Sequence, residues 1–168
     1  TEGRQPSGAD RYWINHGYAV VNTDVRGTGA SFGRWPAPWS RDEVRDMTEV
    51  IKRFNTAVTL PLMIDSTEVN VIETALKLYA GRAIINSINF EEGTAKADKI
   101  LTLAKRFGAA VVALSIDEEG QAYDLDKKVA IAKRIRDHAV SVHNFREEDL
   151  IFDTLTFPLG SGQEDLRK

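Results

Sequence analysis

Polar side chains stand at the end of each apolar, strand-length run in this 168-residue sequence; they are Asp24, Asp65, Asn86, Asp117 and Asp153. Amphipathic segments separate the runs, and this alternation predicts a parallel sheet covered by helices. The carboxyl ends of parallel strands lie along one edge of a sheet, where α/β proteins bind their ligands. Carboxylates accept hydrogen bonds, and a carboxamide both accepts and donates them. The sequence therefore predicts a polar binding edge, with Asp65 and Asn86 as the first candidates.

The clearest βαβ unit in the chain supplies these two candidates. Apolar strands over residues 60–64 and 83–85 end at Asp65 and Asn86. Between the strands, apolar residues recur at the spacing of one helical face, at Val69, Ile72, Ala75, Leu76 and Tyr79. We expect Ser66 or Thr67 to cap the N-terminus of this helix.

The remaining predicted elements continue the alternation. They are helices over 42–54, 94–107 and 126–142, and strands over 18–25, 109–116 and 150–152. The pattern predicts a single α/β domain over residues 1–168 with about five parallel strands. Two architectures fit it: a half-barrel with every helix on one face, or a flavodoxin-like doubly wound sheet with helices on both faces. A half-barrel would leave its inner face apolar and exposed, which would favour pairing into a homodimer.

Length and composition exclude several classes of protein. At 168 residues the chain is too short for a complete (β/α)8 barrel, which needs roughly 250 residues. A net charge of −3 without a basic stripe argues against nucleic-acid and anionic-membrane partners. The sequence has no cysteine, which excludes disulfides and cysteine-based metal sites and fits a cytoplasmic location. No residue is predicted to bind a metal.

A family resemblance covers about three quarters of the chain, from residue 41 to the end. It rests on RDEVRDM, PLMIDSTE, IINSINFEEG, AAVVALSIDEEGQA and DLIFDTLTFPLGSGQED, which occur in the family's order. These motifs resemble the pterin-binding domain of cobalamin-dependent methionine synthase. That domain is a (β/α)8 barrel similar to dihydropteroate synthase, and it binds methyltetrahydrofolate. The resemblance favours the half-barrel of dihydropteroate-synthase type over the doubly wound sheet.

The resemblance assigns pterin contacts to Asp65, Asn86 and Asp153. A pterin presents amide and amino N–H groups and a carbonyl along one edge, and two carboxylates with a carboxamide satisfy that set. Asp24 and Asp117 are further candidates on the edge, although Asp117 also suits a solvated turn. Cobalamin would be held by a partner domain, and the catalytic residues are unknown. Because other parts of the family's site are missing, we expect this methyltransferase-like chain to be inactive alone.

The first forty residues resemble a different family. The run WINHGYAVVNTDVRGTGASFGRW is similar to the strand and glycine-rich loop of α/β-hydrolases of the X-prolyl dipeptidyl peptidase and cocaine esterase group. The two resemblances meet near residues 36–41, which predicts a chimera of laboratory origin. An engineered scaffold with no activity is therefore the alternative function.

A serine-hydrolase site is a weaker interpretation of the same loop. Gly29 to Gly33 satisfies G-x-S-x-G around Ser31, the pattern of a nucleophile elbow. An elbow needs a helix directly after the turn, whereas the prolines at 36 and 38 interrupt the chain there. The histidines are interpreted as surface or helix-end residues. The pattern therefore does not predict hydrolysis.

Overall fold

The structure is a computed structural model that describes residue 15 and residues 41–156, without the side chains of 41–43. The chain divides into two compact units, Thr1–Met47 and Thr48–Lys168. The elements below belong to the second unit, apart from the first turns of its leading helix. The predicted strand over 18–25, with Asp24, lies outside the described residues, and the single domain over 1–168 stays a prediction.

Four parallel strands form the main sheet of the described region. They are β1 (Met63–Asp65), β2 (Ile84–Ile88), β3 (Ala110–Leu114) and β6 (Leu150–Asp153), adjacent in that order. Within this sheet, each strand therefore pairs with the next sheet strand along the chain, as strands do in the wall of a barrel. A doubly wound sheet instead reverses its strand order at a switch point. The prediction of a partial barrel is confirmed at this level, and the described residues do not close a barrel.

Helices connect the strands. They are α1 (Arg41–Ala57), α2 (Val69–Leu78), α3 (Ala95–Phe107) and α4 (Leu125–His143), followed by a 3-10 turn at Glu147–Asp149. A short antiparallel hairpin, β4 (Ile116–Asp117) with β5 (Gly120–Gln121), separates β3 from α4. The sequence predicted an acidic loop or solvated turn at this point, and no strand pair. The hairpin forms because Gly120 adopts a φ of 100° that reverses the chain.

Local sequence explains where the helices begin and end. Gly108 ends α3 in the left-handed conformation, with a φ of 68°, and Asn144 ends α4 similarly, with a φ of 48°. The Asp124 carboxylate caps α4 by accepting a hydrogen bond from the amide of Lys127 at 2.8 Å. The predicted cap of α2 is wrong in detail. Ser66 accepts a hydrogen bond from the amide of Glu68, the residue at the N-cap position, whose own side chain forms no cap.

One face of the sheet carries the hydrophobic core. Ile85 and Val111, which are neighbours across β2 and β3, are fully buried. They pack in one cluster with residues of α2, α3 and α4, including Ile72, Leu101 and Ile135. The alternate positions point to the other face, where Met63 is 54% exposed and Ile151 43% exposed. The described helices α2, α3 and α4 therefore share one side, and the opposite face has the exposed apolar residues that a half-barrel predicts.

The leading helix α1 is tied to the end of α2 by one side chain. The Asn55 amide group donates to the carbonyl of Leu78 at 2.5 Å and accepts from the amide of Ala80 at 3.1 Å. Tyr79 holds the chain that enters β1, because its hydroxyl accepts from the amide of Leu62 at 3.2 Å. Within the described part of the chain, no helix has both the length and the apolar character needed to cross a membrane.

The two faces of the sheet predict different costs for the same substitution. Ile85→Ala should lower the free energy of unfolding by about 2–5 kcal/mol, because it leaves a cavity under the helices. Ile151→Ala removes the same atoms from a side chain that is 43% exposed and should cost clearly less. Urea unfolding followed by circular dichroism measures both. Equal losses would contradict the one-sided helical layer.

Candidate functional site

Asp65 and Asn86 lie side by side at the carboxyl edge of the sheet. They are register partners, since Asp65 ends β1 where Asn86 is paired with it on β2. The amide of Ser66 donates to the carbonyl of Asn86 at 3.2 Å, which extends the pairing beyond the last strand residue. Both side chains project from the sheet face opposite Ile64 and Ile85, because successive residues of a strand alternate between faces. The two strands therefore present these groups to the same side.

A small cleft opens beside this pair, with a volume of about 80 Å³. Its polar lining comes from the strand ends and the start of α3, and its apolar lining includes Ile88 and Ile100; the polar residues are Asp65, Thr67, Asn86, Ser87, Asn89 and Lys96. Binding sites that enclose a drug-sized molecule measure about 300–1,000 Å³. The cleft can therefore receive one edge of a ligand but not surround it.

The two predicted side chains retain their capacity for hydrogen bonding. In the described region, neither the Asp65 carboxylate nor the Asn86 carboxamide hydrogen-bonds another side chain, and Asp65 has no ion pair. Asp65 is exposed and Asn86 is half-buried. A carboxylate that is not used by the fold, next to a carboxamide that is also available, suits a ligand with several polar atoms along one edge. Thr67 and Lys96 belong to the same cleft, and the sequence did not single them out for it.

Asp153 lies farther along the edge. It ends β6, and β3 separates this strand from β2, so two strand spacings, about 10 Å, lie between Asp153 and Asn86. One oxygen of the Asp153 carboxylate accepts a hydrogen bond from the amide of Leu155 at 2.8 Å, which stabilises the turn after the strand. The structure thus brings Asp65 and Asn86 together and leaves Asp153 apart from them.

The acidic residues after β3 serve the hairpin. Asp117 accepts a hydrogen bond from the amide of Glu119 at 3.0 Å, and Lys127 lies 3.7 Å from the same carboxylate. Glu118 forms a two-pronged pair with the Arg134 guanidinium, with both N–O distances at 2.7 Å. These contacts match the interpretation of this segment as a turn leading into the next helix. Asp24 and the G-x-S-x-G pattern at Ser31 lie outside the described residues, so the role of Asp24 on the edge stays a prediction.

Sequence reasoning missed a second polar cluster, between α3 and α4. The Nε2 atoms of His138 and His143 lie 2.6 and 2.7 Å from one carboxylate oxygen of Asp98. The sequence interpretation placed these histidines at the surface or at a helix end. Their separation of five residues was the available signal, but Asp98 is forty residues away from the nearer histidine, and only the packing of the two helices unites them.

Comparison with known proteins identifies two families along the chain. The model of the family described as "Pterin binding enzyme" matches residues 33–167. A second family, described as "X-Pro dipeptidyl-peptidase (S15 family)", matches residues 2–55. Both resemblances inferred from sequence motifs are thus confirmed, and the two matches overlap over residues 33–55.

Two bacterial methionine synthases are among the relatives. The protein of Mycobacterium tuberculosis (strain ATCC 25618 / H37Rv) is 44% identical over 131 residues, and that of Mycobacterium leprae (strain TN) is 41% identical over 131 residues. Each alignment covers 76% of this chain and 11% of the relative. The chain therefore spans about a ninth of the length of the curated relatives that it matches.

The Glu118–Arg134 pair predicts a pH-dependent contribution to stability. Hydrogen bonds from the Arg134 guanidinium lower the pKa of the Glu118 carboxyl from 4.5 to about 2. A lowered pKa stabilises the folded state above the ordinary pKa, and this stabilisation is lost as the pH falls from about 4.5 to about 2. Glu118→Gln should therefore lower the urea midpoint at neutral pH, and its difference from the unsubstituted chain should shrink in acid.

Glu92→Gln is the matched control, since Glu92 forms no ion pair with the described residues. It should leave the urea midpoint nearly unchanged at both pH values. A Glu118→Gln effect that is constant with pH, or that grows in acid, would contradict the ion-pair origin.

Proposed function

Because the chain belongs to the family of pterin binding enzymes, we propose that the cleft at Asp65 and Asn86 binds the pterin ring of methyltetrahydrofolate. The observation that carries the proposal is the register pairing of two polar side chains that the fold itself does not use. The methionine synthase relatives support a folate substrate, since the resemblance to the pterin-binding domain of cobalamin-dependent methionine synthase implies methyltetrahydrofolate.

The chemistry of the two side chains fits the pterin edge. A carboxylate accepts hydrogen bonds only, so Asp65 would accept from the amino and amide N–H groups of the ring. A carboxamide both donates and accepts, so Asn86 would donate to the ring carbonyl or accept from a neighbouring N–H. Ile88 and Ile100 also line the cleft but are each only 1% exposed, so the polar groups would make most of the contact with the ring.

Asp153 would contribute only if the ligand extends across β3. Its second carboxylate oxygen forms no hydrogen bond with the described residues, so it could accept one from a ligand. The distance of two strands requires the bound molecule to lie along the edge of the sheet rather than enter the cleft end-on. Asp153 therefore stays a proposed contact of lower rank than Asp65 and Asn86.

We propose that this chain binds the substrate and does not catalyse methyl transfer by itself. The cleft receives one edge of a ligand, and the small volume supports an incomplete site. No described residue is assigned to cobalamin, which the resemblance places on a partner domain. Methyl transfer by the chain alone is therefore not part of the proposal, and an inactive scaffold is the outcome that the binding experiment would otherwise reveal.

Calorimetric titration with methyltetrahydrofolate tests the proposal. The unsubstituted chain should show saturable binding of one ligand. Asp65→Ala should weaken the affinity by about tenfold or more, because a hydrogen bond to a charged group contributes about 1.5–3 kcal/mol. Asn86→Ala should weaken it severalfold, since it removes hydrogen bonds of a neutral group.

Asp126→Ala is the control, because Asp126 is an exposed carboxylate in the first turn of α4 and outside the cleft. It should bind like the unsubstituted chain. Absence of saturable binding by folded protein would show that the fold persists without the site. An equal loss of affinity in Asp126→Ala would show that the effect of Asp65→Ala is not specific to the cleft. Light scattering on the same sample would test the homodimer, which stays a prediction.

A further inference from the structure

The cluster of Asp98, His138 and His143 is built from two adjacent helices. Asp98 lies in the first turns of α3, and the histidines lie in the last turns of α4. None of the three lines the cleft at the sheet edge. The cluster is therefore a separate arrangement, and its interpretation is independent of pterin binding.

The three side chains converge on a single point. Both Nε2 atoms face the same Asp98 oxygen, at 2.6 and 2.7 Å, and all three ligand-type atoms lie within 4.8 Å of one another. In a tetrahedral zinc site with bonds of about 2.0–2.1 Å, adjacent ligand atoms lie about 3.3 Å apart. The two Nε2–Oδ1 distances are shorter than that separation, so each imidazole would have to move away from the carboxylate oxygen to make room for the ion.

The surroundings of the cluster favour ligands that are held in place but reachable. The His143 side chain is 12% exposed, that of His138 20% and that of Asp98 34%. The ring of Phe90 packs edge-on against His138, with centroids 5.5 Å apart, and limits its rotation. Water can approach from the Asp98 side, where the carboxylate also lines an open surface groove. Three protein ligands with one water-accessible position is a common arrangement for zinc.

The carboxylate is prepared for a cation. The Asp98 oxygen already lies within hydrogen-bond distance of both imidazoles, so the three groups share one polar centre. A carboxylate binds a cation in its ionised form, and an imidazole binds it through a nitrogen that carries no hydrogen.

We propose that Asp98, His138 and His143 bind one divalent transition-metal ion of the zinc class, which joins α3 to the C-terminal turns of α4. Imidazole and carboxylate donors suit Zn²⁺ and its first-row neighbours and are poor ligands for soft cations. On binding, the metal replaces the two Nε2–H groups that now donate to Asp98. Each imidazole that binds the metal through Nε2 then carries its hydrogen on Nδ1.

The competing interpretation is a hydrogen-bonded cluster that binds no metal. If the cluster binds no metal, replacing either histidine changes the stability of the fold alone. If it binds a metal, the same replacement also causes a measurable loss of metal binding. The sequence helps to separate them, because the chain has no cysteine and three histidines, which limits adventitious sites. His16, the third histidine, provides a matched control.

The experiment titrates the full chain, first treated with a chelator and dialysed, with Zn²⁺ in competition with a chromophoric indicator. We expect one ion per chain, and a loss of affinity of at least about tenfold in His138→Gln, His143→Gln and Asp98→Asn. Co²⁺ should give the intense visible absorption of a tetrahedral complex in the unsubstituted chain and not in these three variants. The midpoint of thermal unfolding should rise with Zn²⁺ and should not rise in the three variants.

His16→Gln should bind Zn²⁺ like the unsubstituted chain. Failure of the folded chain to bind saturably, retention of binding in His143→Gln, or loss of binding in His16→Gln would each overturn the proposal. Circular dichroism establishes that each variant is folded. His143 lies at the end of α4, whereas His138 packs on Phe90. The His143→Gln variant therefore still tests the proposal if His138→Gln does not fold.

Discussion

Burial of one face of the parallel sheet is the constraint on which the rest of the described structure depends. Ile85 and Val111 are neighbours on β2 and β3 and have no exposed surface. Because strands that follow one another in order are connected by right-handed crossovers, the helices between them fall on the same side of the sheet. A shift of one residue in register would move Ile85 into solvent and Asn86 under the helices. The position of the candidate site is thus set by the packing of the core.

The same register decides which polar residues can act together. Asp65 and Asn86 alternate with the partly buried Ile64 and the fully buried Ile85, and the pairing of β1 with β2 places them side by side. Asp153 is separated from them because β3 lies between its strand and β2. Asp117 follows β3 but is drawn into the β4–β5 hairpin, where its carboxylate accepts from a backbone amide. The four described members of the row of strand-end polar residues therefore become one adjacent pair and two separate residues.

The helix α3 connects the two polar sites of the molecule. Ala97 and Ile100 line the cleft at the sheet edge, whereas Asp98 turns toward α4 and its histidines. Neighbouring positions on a helix differ by about 100° in direction, so consecutive residues can serve different surroundings. The proposed metal ion would bind within the helical layer, and the proposed pterin would bind at the strand ends. A rigid α3 would serve both, since it forms one wall of each site.

Much of this arrangement is determined by the sequence itself. Apolar periodicity predicted the three helices later named α1, α3 and α4 to within about three residues at each end, and strand-end polarity singled out Asp65 and Asn86. These features are local, because a helix face or a strand run is written in neighbouring residues. The motifs also identified the family, since both their residues and their order along the chain can be read from the sequence.

Only the tertiary structure decided the remaining features. It placed the described helices on one face, moved Asp153 two strands away from Asn86 and brought Asp98 within 2.7 Å of two histidines. Each of these depends on which distant segments pack together, and local periodicity carries no information on that choice. The physical reason is that burial of apolar surface is shared among all elements of the core, so their mutual positions are settled by the whole fold at once.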